Sequence, residues 1–140
     1  MTVADTNSSD VMGSNVAVAV DPDRLGRVFG RQSSEPVRQL SAASGVGMIV
    51  DSAALPISAA VRRFHQECGG DAVDTALTGG DDYELVFTVR PAQRGRLRGV
   101  RLQAGDLPIT RIGVVTADKA LLIQRAHGMD TLPQGFEHFR

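Results

Sequence analysis

Five short runs of β-branched and aliphatic residues, each about the length of one strand, alternate with stretches of helical periodicity. The runs are NVAVAVD (15–21), SGVGMIVD (44–51), YELVFTV (83–89), ITRIGVVT (109–116) and ALLIQRA (120–126). After the first run, Leu25, Val28 and Phe29 fall at i, i+3 and i+4, and Val37 and Leu40 continue an apolar face, with Pro36 expected to separate two helical pieces. A second helix is expected over 57–68, with Ile57, Ala60, Val61 and Phe64 on one face, followed by a short helical turn, DAVDTALT (71–78). Pro91 is placed to open a third helix reaching about Ala104. The last two runs are joined by ADK, and HGMDTLPQ (127–134) reads as a polar turn before the terminal GFEHF.

The order β-α-β-α-β-α-β-β has no strict βαβ repeat. It predicts an α+β fold, a single mixed sheet with helices packed on it. In 140 residues there is room for one domain. Residues 1–14 are polar, small and aperiodic, so a flexible tail is expected there and the domain over 15–140. Aromatic residues are only 4% of the chain, so the core must be aliphatic.

A net charge of −1 gives no global attraction to nucleic acid or to an anionic membrane surface, and neither is expected as a partner. The densest basic run, RPAQRGRLRGVR (90–101), has no interleaved aromatics and reads as the solvated face of a helix. Cys68 is the only cysteine, which excludes an internal disulfide and offers no zinc spacing; a reducing, cytoplasmic setting fits. At the end of an apolar helical face it reads as a half-buried packing residue rather than a nucleophile. His65, His127 and His138 are scattered without metal-binding spacing. The N-terminus has neither a basic region nor an apolar core of signal-peptide length, and no segment approaches the ~20 apolar residues that span a bilayer.

LTGGDDYELVF (77–87) concentrates the chemistry. A glycine pair feeds a strand with carboxylates at its mouth: glycines let a backbone approach a ligand, and carboxylates there can accept hydrogen bonds from a cationic substrate or hold a metal. The alternative is a tight turn whose aspartates cap neighbouring backbone groups.

Together, SAASGVGMIVDSAALPIS (41–58), ALTGGDDYELVFTV (76–89), ITRIGVVTADKALLI (109–123) and the tail GFEHF (135–139) resemble the C-terminal half of the thiamine-monophosphate kinases. That family belongs to the AIR synthase-related superfamily, which includes aminoimidazole ribonucleotide synthase and selenophosphate synthetase. The likeness runs from about residue 41 to the C-terminus. It implies a PurM C-terminal-domain-like fold and a role in ATP-dependent phosphorylation of thiamine phosphate. In the family the first acidic residue after the glycine pair contacts the substrate, which points to Asp81, flanked by Gly79, Gly80, Asp82 and Tyr83. The aromatic residue of the closing motif packs on the substrate's ring system, which points to Phe136; a terminal Phe that plugs the core is the alternative.

The resemblance also implies Mg²⁺ and ATP, since γ-phosphoryl transfer needs metal ions to neutralise phosphate charge. The family's metal carboxylates lie mostly in its N-terminal half, with a further pair in a D-x-S-D-G-L motif that is not intact here. Aligned without gaps, its two aspartate positions fall on Val28 and Arg31, which bind no Mg²⁺; aligned by topology on VAVAVDPDRL, they leave Asp21 and Asp23 as candidate ligands. A turn at Asp21 with an N-cap at Asp23 is the alternative. The sequence is therefore expected to lack the family's ATP-binding half and to be inactive as an isolated kinase. The implied partners are a thiamine phosphate-like small molecule and a separate ATP-binding half or a second copy. A non-catalytic ligand-binding or dimerisation module is the competing expectation.

Overall fold

The computed structural model describes residues 15–19, 34–78, 85–103, 105 and 108–134, with the side chains of 15–19 and 85 outside that description. Among the described residues, six strands form one mixed sheet: β1 (Asn15–Ala19), β2 (Gly47–Asp51), β3 (Leu85–Val89), β4 (Ile109–Thr116), β5 (Leu121–Arg125) and β6 (Gly128–Thr131). Their spatial order is β3-β1-β4-β2-β5-β6, antiparallel throughout except for the parallel β2/β5 pair. The helices are α1 (Glu35–Ser44), α2 (Ala59–Cys68), α3 (Ala72–Thr78) and α4 (Arg96–Gln103), with 3₁₀ turns at Ser52–Ala54 and Pro91–Gln93. The architecture is the expected α+β one. No helix among the described residues is long and apolar enough to cross a membrane.

Local chemistry explains most element boundaries. Pro36 lies in the first turn of α1, where its missing N–H costs no intrahelical bond, so it starts this helix. Gly45 ends α1 in the left-handed region (φ 66°), and its N–H donates to the Ser41 carbonyl at 2.8 Å. The Ser58 Oγ caps α2 by accepting from the Val61 N–H at 3.3 Å. Pro91 opens only a 3₁₀ turn, and α4 begins at Arg96 with no buried residue along its length.

Two features depart from the sequence reading. HGMDTLPQ was expected to be a turn, yet Gly128–Thr131 pairs antiparallel with β5 as an edge strand. Its polarity reflects an edge position, with Met129 through Thr131 exposed. The apolar face expected on α2 is only partly used: Val61 is buried, Ala60 and Phe64 are exposed, and Cys68 is exposed rather than half-buried.

β4 and β5, joined by the short 117–120 link, are not partners. β2 lies between them, pairing Ile49 with Val114 on one side and Leu122 on the other. The link must cross the start of β2, and the Met48 N–H donates to the Ala120 carbonyl there at 3.1 Å. Gly47 makes the crossing feasible, because a Cβ at that position would stand 1.7 Å from the Asp118 carbonyl oxygen and 2.6 Å from that of Ala120. Asp118 shapes the link in turn: its carbonyl accepts from Thr116 Oγ1 at 2.9 Å and its side chain from the Ala120 N–H at 3.3 Å.

The core lies on the face carrying Met48, Val50 and Ile123, against Val37 of α1, Leu55 and Leu77 of α3, with Ile112, Val115 and Leu132 completing it. Each fully buried aliphatic side chain contributes ~1.5–3 kcal/mol. Ile112 and Val115 have opposite parity along β4 yet share this core. The β1/β4 register explains it: successive β1 residues Val16 and Ala17 face Gly113 and Arg111, so Ile112 is the extra residue of a bulge that resets the alternation.

Gly47→Ala is expected to cost about 3 kcal/mol or more, because only backbone atoms face the added methyl and the crossing link must shift. A lowered urea midpoint measures this; a variant within 0.5 kcal/mol of the parent, as for a neutral surface change, would show that the link yields easily.

Candidate functional site

Gly79, Gly80, Asp81, Asp82, Tyr83, Phe136, Asp21 and Asp23 all lie outside the described residues. The described residues do show how the three stretches that carry them, 20–33, 79–84 and 135–140, are mounted. Ala19, before the first stretch, is the register partner of Leu85, which follows the second. At their other ends, the Ser34 N–H donates to the Leu77 carbonyl at 2.9 Å. The Ser34 Oγ donates to the Pro133 carbonyl at 2.7 Å, two residues before the third stretch. Nothing in residue type or spacing marks these boundaries as neighbours.

Ser34 is fully buried and stands at the N-cap of α1, but it does not cap. An N-cap hydroxyl ordinarily accepts from the N–H of the second or third helical residue. Here the second is Pro36, which has no N–H, and Ser34 has helical dihedrals (φ −70°, ψ −11°). Its hydroxyl donates instead to the carbonyl of a residue 99 positions away. One turn on, Arg38 reinforces the junction by donating from Nη2 to the Leu132 carbonyl, while its buried Nε has no hydrogen-bond partner among the described residues. Leu132 is itself held by its N–H to the Leu121 carbonyl at 2.9 Å. Pro36 is expected from sequence to separate two helical pieces, but the partner of the serine before the helix is a tertiary fact.

A second polar cluster fixes α3, the helix that leads into the glycine pair. Asp71 caps it, accepting from the Val73 N–H at 2.7 Å and the Asp74 N–H at 3.4 Å. The Arg125 side chain, 13% exposed, reaches Asp71 Oδ2 at 3.0 Å through Nη1, Asp74 through Nη2 and Asp130 Oδ2 at 3.4 Å through Nε. The Asp74 hydrogen bond is the main reason that the Arg125 pKa lies above its ordinary value; partial burial opposes it, and the charges of Asp74, Asp71 and Asp130 add to it. One guanidinium thus ties α3 to the β5–β6 edge.

Among the described residues no group of three His, Cys, Asp or Glu side chains could hold a metal ion. The carboxylates that do converge, Asp71, Asp74 and Asp130, already share Arg125. They do not fit a Mg²⁺ site. His65 Nδ1 lies 3.2 Å from the Gly69 carbonyl and His127 Nε2 3.0 Å from Asp130 Oδ2, while His138 lies outside the described residues. The basic run is largely solvent-facing; from it, Arg101 Nη2 donates to the Ile109 carbonyl at 2.9 Å.

No protein-family model matches the chain. Solved structures do. E. coli HypE, a hydrogenase maturation protein, superposes with a TM-score of 0.62 at 20% identity, over 91% of this chain and 52% of that one. AaThiL, a thiamine monophosphate kinase complexed with AMPPCP and TMP, gives 0.63 at 20% identity, over 91% and 52%. The chain therefore has the mixed-sheet α+β fold of the PurM-like class. Sequence narrows this further: the chain is 42% identical over 99 residues to the thiamine-monophosphate kinase of Salmonella typhimurium, a match taking 69% of this chain and 30% of that protein. It is a relative of the thiamine-monophosphate kinases and spans about 30% of the length of the curated relatives it matches.

Arg125→Met is expected to cost ~1–2 kcal/mol, because three half-exposed carboxylates lose their shared cation while Asp71 still caps α3. Thermal unfolding checks this, and a melting temperature unchanged from the parent would make the cluster decorative.

Proposed function

We propose that this chain supplies the substrate-contacting side of a thiamine phosphate site of the thiamine-monophosphate kinase type. In this reading Asp81 contacts the thiamine phosphate, Phe136 packs on its ring system, and Gly79, Gly80, Asp82 and Tyr83 build the loop that presents Asp81. The observation that supports it best is the junction at Ser34. The carbonyl of Leu77, two residues before Gly79, accepts from the Ser34 N–H, and that of Pro133, three before Phe136, accepts from the Ser34 Oγ, so residues that flank the two segments meet at one residue. A charged loop and an aromatic side chain presented together suit a ligand with a cationic ring and a polar tail.

Phosphoryl transfer is mostly positioning and electrostatic stabilisation by metal ions and cationic groups. ATP is seen by analogue only in a relative, AaThiL with AMPPCP. The described residues offer no Mg²⁺ site, so no step is assigned to the metal here. Asp21 and Asp23 remain proposed carboxylate donors toward it. The nucleotide is assigned to polypeptide beyond these 140 residues, whether a separate ATP-binding half, a second copy or the rest of a longer chain. The setting proposed is the cytoplasm.

Isothermal calorimetry with thiamine monophosphate is expected to show binding, weakened about tenfold, or ~1.4 kcal/mol, by Asp81→Ala. An ADP-release assay with Mg-ATP is expected to show no turnover by the chain alone. Turnover at an ordinary kinase rate would overturn the division of labour, and absence of binding would leave a structural or dimerisation module.

A further inference from the structure

We propose that α4 is a docking surface for an acidic segment of another protein, one in which carboxylates alternate with aliphatic side chains. The inference is independent of the thiamine phosphate reading, because it uses only the residues of Arg96–Gln103 and those beside them.

α4 lacks what ordinarily holds a helix in place. A surface helix buries one face, and a helix that is wet all round depends on opposite-charge pairs along its length. Here no residue is buried, Leu97 alone is partly covered, and Val100 and Leu102 are 45% and 78% exposed. Opposite-charge pairs cannot form within it, because no acidic residue occurs between Glu84 and Asp106. Its own sequence also works against it. Gly99 is a poor helix former in mid-helix. Arg98 faces like charges at Arg94 and Arg101, four residues before and three after. Arg96 stands in the first turn, with no acidic residue there, where the helix dipole favours an anion. At the far end Arg101 donates to the Ile109 carbonyl, which ties the helix to the start of β4 and leaves Arg96 and Arg98 exposed.

The order of side chains around the helix says what the surface takes. With 3.6 residues per turn they come round as Arg96, Val100, Leu97, Arg101, Arg98 and Leu102, so cationic and aliphatic groups are interleaved. A helix lying on a membrane gathers its apolar side chains on one face, which this one does not. Single-stranded nucleic acid is held on aromatic platforms, and the chain has no aromatic residue between Phe87 and Phe136. An acidic protein segment meets both kinds of group: guanidinium forks take carboxylates in bidentate pairs, and Leu97, Val100 and Leu102 lose water against aliphatic neighbours. The same carboxylates supply the anion missing at the first turn and relieve the repulsion at Arg98. Docking and ordering of α4 therefore reinforce each other.

The test uses the full chain and two fluorescein-labelled peptides of about 15 residues, long enough to form a helix. Both have the same glutamate, leucine and alanine content; in one, glutamates and leucines alternate around the helix, and in the other they occupy opposite faces. By fluorescence anisotropy the alternating peptide is expected to bind at least about fivefold more tightly than the segregated one. Arg96→Gln with Arg98→Gln is expected to weaken that binding about tenfold and Val100→Ser with Leu102→Ser about threefold. Arg63→Gln with Lys119→Gln, the same loss of charge elsewhere on the surface, is expected to stay within about twofold of the parent. All six positions are exposed, so each variant is expected to keep the parent's melting temperature. Amide exchange over 96–103 is expected to be fast in the free protein and to slow with the alternating peptide bound, while 121–125 is unchanged. Absence of binding, equal affinity for the two peptides, equal weakening by the control pair or unaltered exchange over 96–103 each overturns the proposal. So does tighter binding of the parent to a DNA duplex or to phosphatidylserine vesicles than to the alternating peptide. Should the arginine pair lose the fold, undiminished binding by the Val100→Ser and Leu102→Ser protein overturns it.

Discussion

The architecture depends on β2 being inserted between two strands that the chain connects directly. Met48 and Val50, at the middle of the sheet, are buried against α1, α3 and the Leu55 segment only because the 117–120 link passes over the start of β2 instead of closing a hairpin. That passage is a steric matter. Backbone carbonyls stand where any side chain at position 47 would begin, so glycine is the residue compatible with it. With β2 in place, β4 and β5 are fixed on either side, and β1 and β6 extend the sheet outward.

The sheet carries its polar contacts in two places. Arg125 gathers three carboxylates and ties α3 to the β5–β6 edge, and Ser34 with Arg38 ties the start of α1 to the end of α3 and to the segment after β6. α3 is thus held at both ends by groups from distant parts of the chain: Asp71 and Asp74 toward Arg125, the Leu77 carbonyl toward Ser34. A short helix of this kind has little stability of its own. Its fixed position comes from these anchors and from buried Ala76 and Leu77.

Much of the secondary structure was legible because it is governed by local rules. Glycine after Ser44, proline in the first turn of α1, the serine cap of α2 and the aspartate cap of α3 each act within a few residues, and the strand cores carry β-branched and aliphatic runs. The errors share a cause. Gly128–Thr131 is polar and reads as a turn, because an edge strand buries little and pairs mainly through its backbone. Phe64 and Cys68 have the spacing of a buried face, yet both are exposed on α2. The bulge at Ile112 likewise escapes a period-2 reading, since it exists only relative to β1.

The family likeness and the candidate contacts Asp81 and Phe136 came from sequence motifs, and the former is supported by relatives of the same kind. The sequence by itself determined the class of fold and most element types, because these depend on residue type and short-range spacing. Only the tertiary structure decided that β4 and β5 are parted by β2, that three carboxylates share Arg125, and that the Ser34 N–H and hydroxyl go to Leu77 and Pro133. Those are pairings between residues tens of positions apart, and a hydroxyl or a guanidinium carries no mark in the sequence of which distant carbonyl or carboxylate it will meet.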